Sequence, residues 1–166
     1  MSTNPRSSKS TTSQYTAFSM LELALVTAVI GIVAIALVPH FASAQRETVH
    51  TSTAKDLRNI ASALAYYKGM HGSYPVNGTR AQDAAMLQEY FKGKSPFLKE
   101  APIGGVYDYL GPINGNPIAI EIVQEGNKRY TFETALELDS YIDNGDLESG
   151  RLVDIGDRLR YRFSPE

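Results

Sequence analysis

The sequence has no cysteine and no tryptophan among its 166 residues. Without cysteine, neither a disulfide framework nor a thiolate metal site is available, so an exported form needs another way to stabilise its loops. The formal net charge of −2 gives no indication of nucleic-acid binding. The sequence also lacks a phosphate-binding loop, a nucleophile elbow and zinc-ligand spacing, and its three histidines are scattered. These absences predict that the protein is not an enzyme.

The first 17 residues differ in composition from the rest of the chain. They are rich in Ser and Thr, and their charged residues are Arg6 and Lys9, which sum to +2. The remaining residues therefore carry −2 − 2, or −4. A segment of this composition buries too little apolar surface to fold, so we expect a basic, polar leader ahead of a mildly acidic body.

Residues 18–38 are almost wholly apolar. As a helix, these 21 residues span about 31 Å at ~1.5 Å per residue, which matches the hydrocarbon core of a bilayer. Residues 41–68 instead place apolar side chains every three or four positions with charges between them, which predicts an amphipathic helix. Gly69, Gly72 and Pro75 mark its end. The pattern predicts one long helix from Phe18 to Lys68.

The chain after Gly69 predicts a small α+β head. We expect a short helix over 82–91, strands over 106–110 and 118–123, a helix over 132–142, and a hairpin of 151–153 with 158–163. The predicted fold class is α+β, with the long N-terminal helix packed on an antiparallel sheet of three or four strands. The predicted organisation is a cleaved leader (1–17), a transmembrane and assembly half of the helix (18–39), its amphipathic half (40–69), and the head (70–166).

The apolar segment opens with Ala17-Phe18-Ser19-Met20-Leu21-Glu22-Leu23. This motif resembles the class III signal of the type IV pilin and type II secretion pseudopilin family. The resemblance implies peptidase cleavage between Ala17 and Phe18 and N-methylation of Phe18. Ala17 stands where the family usually has glycine. Pro39 falls where the family has its helix-bending proline, and the resemblance implies that the segment from Gly31 to Pro39 can lose helical order.

Glu22 has a physical argument of its own. A carboxylate in an apolar span costs roughly 2.5 to 3.5 kcal/mol on insertion scales, and an anchor alone gains nothing from it. Cleavage before Phe18 creates an α-amine a few residues away, with which a neighbouring subunit's Glu22 can pair in low dielectric. The resemblance implies that this pairing sets the register between subunits of a filament.

The resemblance also implies the setting of the protein. The chain would cross the inner membrane once, with its leader in the cytoplasm and its head in the periplasm or in an extracellular filament. Its partners would be further copies and related pilins, the prepilin peptidase, the assembly platform, and membrane lipid before assembly; no nucleic acid is expected. Pseudopilus, surface pilus and competence filament stay open, although the short head, the Gly72-Ser73-Tyr74-Pro75 loop and the missing disulfide favour a pseudopilus.

An ordinary signal peptide is the alternative interpretation. Arg6 and Lys9 supply its basic start, and Ala42-Ser43-Ala44 supplies a small-x-small cleavage site. The product would be a soluble secreted or membrane-anchored binding domain beginning near Gln45. The length of the apolar run, beyond the usual ~7 to 15 residues, opposes this interpretation, as does the position of Glu22 inside it.

Two further sites come from charged residues. Asp139, Asp143, Asp146 and Glu148 crowd one segment, and calcium takes six to eight oxygen ligands from such groups. The predicted function requires no cofactor. Calcium is the one ion considered, because the resemblance extends to major pseudopilins, which hold calcium in their C-terminal loops. The spacing is not that of an EF-hand, and a solvated Asn-Gly turn is the alternative. His50 and Glu47 share a helix face, which predicts a solvated pair.

Overall fold

The computed structural model describes residues 19–112 and 118–163, and for residues 37–43 it describes the backbone but not the side chains. The chain divides into two units, one ending at Ala42 and the other running from Ser43 to Glu166. The first helix, α1 (Met20–His71), contributes to both.

The part of α1 in the first unit exposes its apolar side chains. Met20 is 92% exposed and Ile35 is 76% exposed, and large apolar residues between them are exposed on every face of the helix. In the part of the chain with described side chains, no helix is both long enough and apolar enough to cross a bilayer. The predicted span of 18–38 includes three residues, 18, 37 and 38, whose side chains lie outside that part.

In the second unit, the predicted amphipathic stripe of α1 forms one wall of the core. Thr53, Leu57, Ile60 and Leu64 are each fully buried. The helix ends three residues later than predicted, at His71, where the Gly72 amide donates to the Lys68 carbonyl at 2.8 Å. Gly72 has φ +79°, a left-handed conformation that glycine adopts readily at a helix end.

Four strands form the sheet against this helix. They are β1 (Val106–Leu110), β2 (Ala119–Val123), β3 (Leu152–Asp154) and β4 (Arg158–Tyr161), all antiparallel and in the order β1-β2-β4-β3. The predicted α+β class with a small antiparallel sheet is thereby confirmed. Glu121 of β2 is buried, and its two carboxylate oxygens accept from Arg158 and Arg160 of β4 at 3.0 and 2.8 Å. These two ion pairs join the two central strands, β2 and β4.

Two shorter helices complete the unit. Helix α3 covers Phe132–Ile142 as predicted, and Thr131 caps its start by accepting from the Thr134 amide. Helix α2 covers Arg80–Leu87 and continues as a 3₁₀ turn to Tyr90, so its start lies two residues before the predicted one. The cause is a capping box in which Thr79 and Gln82 exchange hydrogen bonds. A second 3₁₀ turn, Pro96–Leu98, was not predicted.

Candidate assembly surfaces

Glu22 lies at the N-terminal turn of α1 and is exposed. One of its carboxylate oxygens accepts from the Ser19 amide at 2.9 Å, while the Ser19 hydroxyl accepts from the Leu21 amide at 3.2 Å. This reciprocal pattern is close to a capping box, and a negative charge here also complements the helix dipole. A carboxylate has about four acceptor sites. Glu22 can therefore cap its own helix and still accept a second partner.

The other predicted processing and bending residues are only partly visible. Ala17 and Phe18 lie outside the described residues, so the cleavage and methylation sites stay predictions. Gly31 and Pro39 both lie within the span of α1, and the side chain of Pro39 lies outside the described part. A Cβ added at Gly31 would meet nothing within 4 Å. Neither observation tests whether the segment from Gly31 to Pro39 can lose helical order.

The predicted acidic cluster is a loop, which we call the acidic loop (Asp143–Glu148), that follows α3. Asp143 accepts from the Arg151 amide at 2.6 Å, and Asp146 accepts from the Glu148 amide at 3.0 Å and from the Ser149 hydroxyl at 2.8 Å. The two bonds to Asp146 favour its charged form and lower its pKa, and the Ser149 hydroxyl contributes most. The loop is thus closed by its own carboxylates, and Glu148 remains exposed.

Asp139 is the buried member of the predicted calcium set. One oxygen accepts from the Asp146 amide at 2.7 Å, and the other, Oδ1, is buried with no hydrogen-bond partner among the described residues. Burial raises the pKa of Asp139, although the amides of Asp146 and Gly145 oppose the shift. Oδ1 of Asp139, which has no partner among the described residues, is the oxygen that a cation would approach. Across residues 19–112 and 118–163, however, no three acidic or histidine side chains are placed to hold a metal together. Calcium binding stays a prediction.

His50 is not paired with Glu47 in solvent, and that interpretation is corrected. Its side chain is buried, and Nε2 lies 2.9 Å from the Glu137 carboxylate of α3. Arg46 lies 3.6 Å from the same carboxylate and 3.8 Å from Glu133. The helix pattern placed Glu47 near His50 but gave no information on α3. These residues instead mark the side of α1 that packs against α3.

A groove of about 700 Å³ lies on another side of α1, between that helix and the segment that follows α2. Four lysines line it, together with one carboxylate and several small polar side chains: Ser52, Lys55, Asp56, Asn59, Ser62, Lys92, Lys94 and Lys99. The formal charge of this lysine groove is 4 − 1, or +3. Lys55, Lys92 and Lys94 are exposed. This groove was not predicted from the sequence, in which its one available signal is the three lysines between residues 92 and 99.

Asp56 fixes the floor of the lysine groove. It is 8% exposed, accepts from the Tyr107 hydroxyl at 3.2 Å, and lies 2.6 Å from the Lys99 amine. The nearby carboxylate and burial together raise the pKa of Tyr107, with burial as the larger cause. Asp56 is therefore bonded to the core below it. Its negative charge offsets one of the four lysine charges, so the net charge of the groove stays positive.

A further buried carboxylate, Asp83, belongs to neither surface. It is fully buried in α2, and neither oxygen has a side-chain partner among the described residues. Burial raises the pKa of Asp83 to about 6, the charge of Asp108 adds to the shift, and the Gly78 amide opposes it. Nothing in the sequence distinguished this aspartate from the exposed ones.

The described elements define an α+β protein with a long N-terminal helix and a four-stranded antiparallel sheet. No family model matches the chain. The type II secretion system core protein G of Pseudomonas aeruginosa is 28% identical to it over 114 residues, which are 63% of this chain and 79% of that protein. The resemblance to the type IV pilin and pseudopilin family that residues 17–23 indicate is confirmed by this relative.

Among solved structures, the major type IV pilin PilA1 from Clostridium difficile is similar to this chain with a TM-score of 0.48 and 19% sequence identity. The match covers 70% of this chain and 94% of that one.

Proposed function

We propose that this chain is a prepilin-like structural subunit, with no catalytic role, that polymerises into a type II secretion pseudopilus or a type IV pilus. The observation that carries the proposal is the similarity to a type II secretion system core protein over 114 residues. The relative's name, the short head and the absence of cysteine favour the pseudopilus. The subunit would be inserted in the inner membrane with its head in the periplasm, and would leave the lipid on assembly.

Processing is the first step of the proposed function. A peptidase would cut between Ala17 and Phe18, and the new amine of Phe18 would be methylated. Glu22 would then accept from the Phe18 amine of a neighbouring subunit in the low-dielectric filament axis, where a charge pair is strong. The exposed apolar side chains of α1 up to Ile35 support this, because so large an apolar surface is stable only against lipid or other helices.

The proposal is tested by expressing the full chain in a type II secretion host, with and without its prepilin peptidase. N-terminal sequencing and intact mass are expected to give a chain that starts at Phe18 with one added methyl group when the peptidase is present. Ala17→Gly should be cleaved at least as fast, whereas Ala17→Leu should block cleavage by its bulk.

A mature start at Gln45 would contradict the proposal in favour of the ordinary signal peptide. The backbone around Gln45 argues against that start, because Ala42-Ser43-Ala44 lies inside α1 and cleavage there would cut a continuous helix. Filament counts by electron microscopy complete the test, since a correctly processed chain that never assembles would leave the polymer unsupported.

A further inference from the structure

The head carries opposite charges on two different surfaces. The lysine groove has a formal charge of +3, while residues 132–150 contain six acidic residues and no Lys or Arg. Two of the six, Glu133 and Glu137, face Arg46 and His50 within the same chain. The acidic loop lies beyond them, and its exposed charges are Asp143, Asp146 and Glu148.

The two surfaces lie on different sides of α1. His50 faces α3, from which the acidic loop continues, and Asn59 lines the lysine groove. Asn59 lies nine positions after His50, and at about 100° per residue the two side chains point half a turn apart. The element that leads into the acidic loop therefore packs on one flank of the helix and the lysine groove opens on the other, so the two are different surfaces of one copy.

We propose that the lysine groove receives the acidic loop of a second copy of this chain. A contact between two different surfaces of identical subunits is head-to-tail, and a head-to-tail contact that does not close into a ring generates a helical filament. The inference rests on the proposed function, since it names the contact between heads that filament assembly would use.

The shapes of the partners support the pairing. The groove is open and large enough for a loop of several residues. The acidic loop is held in shape by hydrogen bonds that Asp143 and Asp146 accept from backbone amides, so it loses little freedom on docking. The side chains of Glu148 and Lys94 are exposed, and neither makes a hydrogen bond or ion pair among the described residues, so their charges can be exchanged without loss of a contact within the chain.

Charge exchange in the full chain is the first test. Lys94→Glu and Glu148→Lys should each reduce filament number about ten-fold, because a like-charge contact costs on the order of a kcal/mol or more. The double variant, which exchanges the two charges, should recover most of the loss. Arg129→Glu is the matched control, because Arg129 is an exposed cation outside the groove, and it should assemble normally.

Cross-linking tests the contact directly, because the natural chain has no cysteine. Lys94→Cys and Glu148→Cys, made in separate chains and co-expressed, can form a disulfide only between copies. Oxidised filaments should contain a covalent dimer, and the Lys94→Cys chain paired with Arg129→Cys should not. A chain with both substitutions should give a ladder of longer species.

The outcomes separate the two proposals. If the natural chain forms no filaments, the proposed function fails first. If it forms filaments that tolerate Lys94→Glu, or cross-links no more than the Arg129→Cys control, the docking of the acidic loop is wrong while the filament stands. If Lys94→Glu blocks assembly, Glu148→Lys does not restore it and no cross-link forms, the groove takes another anion, such as nucleic acid, and the docking is again wrong.

Discussion

Among the residues with described side chains, the two units of the chain bury their apolar residues to opposite extents. In the first unit, Ile30 is 61% exposed, whereas Ile60, on the same helix in the second unit, is fully buried. The two residues are of the same type, and Ile60 differs because it belongs to a core cluster with residues of the sheet and of α2. The second unit therefore carries its own core, whereas the described apolar side chains of the first unit are exposed to solvent in this structure.

The largest expected effect concerns Glu22 in the first unit. Glu22→Ala and Glu22→Gln should each reduce filament number more than about ten-fold, because both remove the charge that would pair with the Phe18 amine. Membrane fractionation and the melting temperature of the head should be unchanged.

The two substitutions at Glu22 separate two roles of the carboxylate. Gln keeps an oxygen that can accept from the Ser19 amide, whereas Ala loses this hydrogen bond at the helix start. Normal filaments from Glu22→Gln would refute the charge pairing and leave Glu22 as a helix cap.

The same substitution at two isoleucines tests the contrast in burial. Ile60→Ala should lower the free energy of unfolding of the head by about 3 kcal/mol, because it removes buried methyl groups and leaves a cavity. Ile30→Ala should change it by less than about 0.5 kcal/mol. Urea denaturation of the full chain in mild detergent, followed by tyrosine fluorescence, measures both. Equal losses would show that Ile30 is packed in a core under these conditions, contrary to its exposure in this structure.

Asp83 gives a smaller effect that depends on pH. Its pKa is raised on folding from 3.8 to about 6, so the folded head binds a proton more tightly than the unfolded chain. Stability from this group is therefore complete below about pH 3.8 and is lost as the pH rises through 6. Asp83→Asn should increase the free energy of unfolding at pH 7 by about 1–3 kcal/mol and leave it little changed at pH 4.

Asp157→Asn is the control for this prediction. Asp157 is exposed and its pKa is lowered, chiefly by hydrogen bonds from Arg158, so its substitution should reduce stability at pH 7. A gain from both variants would mean that net charge and not burial is responsible.

The smallest expected effect is that of calcium. The acidic loop already closes through its own hydrogen bonds, so metal would add stability only by mass action, about 1.4 kcal/mol at a free concentration ten times the dissociation constant. The melting temperature in calcium and in chelator, for the natural chain and for Asp139→Asn, measures it. A calcium-dependent rise that survives in Asp139→Asn would place the ion elsewhere, and no rise would leave the loop metal-free.

Periodicity explains why most of the head could be predicted. The stripe through Leu57, Ile60 and Leu64 has the 3.6-residue repeat of a helix. The sequence Gly111-Pro112-Ile113-Asn114-Gly115-Asn116-Pro117 is rich in turn-forming residues and separates the two short apolar runs of β1 and β2. The 3₁₀ turn at Pro96–Leu98 has no repeat to read. The lysine groove brings Lys55 to Lys92 and Lys94 from distant parts of the chain, and the partner of His50 lies 87 residues away in Glu137. Such contacts follow from the tertiary fold, which local patterns do not specify.

The strand order has a consequence for the timing of folding. The last described strand, β4, lies inside the sheet between β2 and β3, and Arg158 and Arg160 reach from it to the buried Glu121. Until residue 161 has left the ribosome, β2 has an open edge and Glu121 lacks both of its cations. The apolar segment 18–38 is synthesised more than a hundred residues earlier. Any partner that recognises residues 18–38 as they emerge would therefore bind them before the head can complete its sheet.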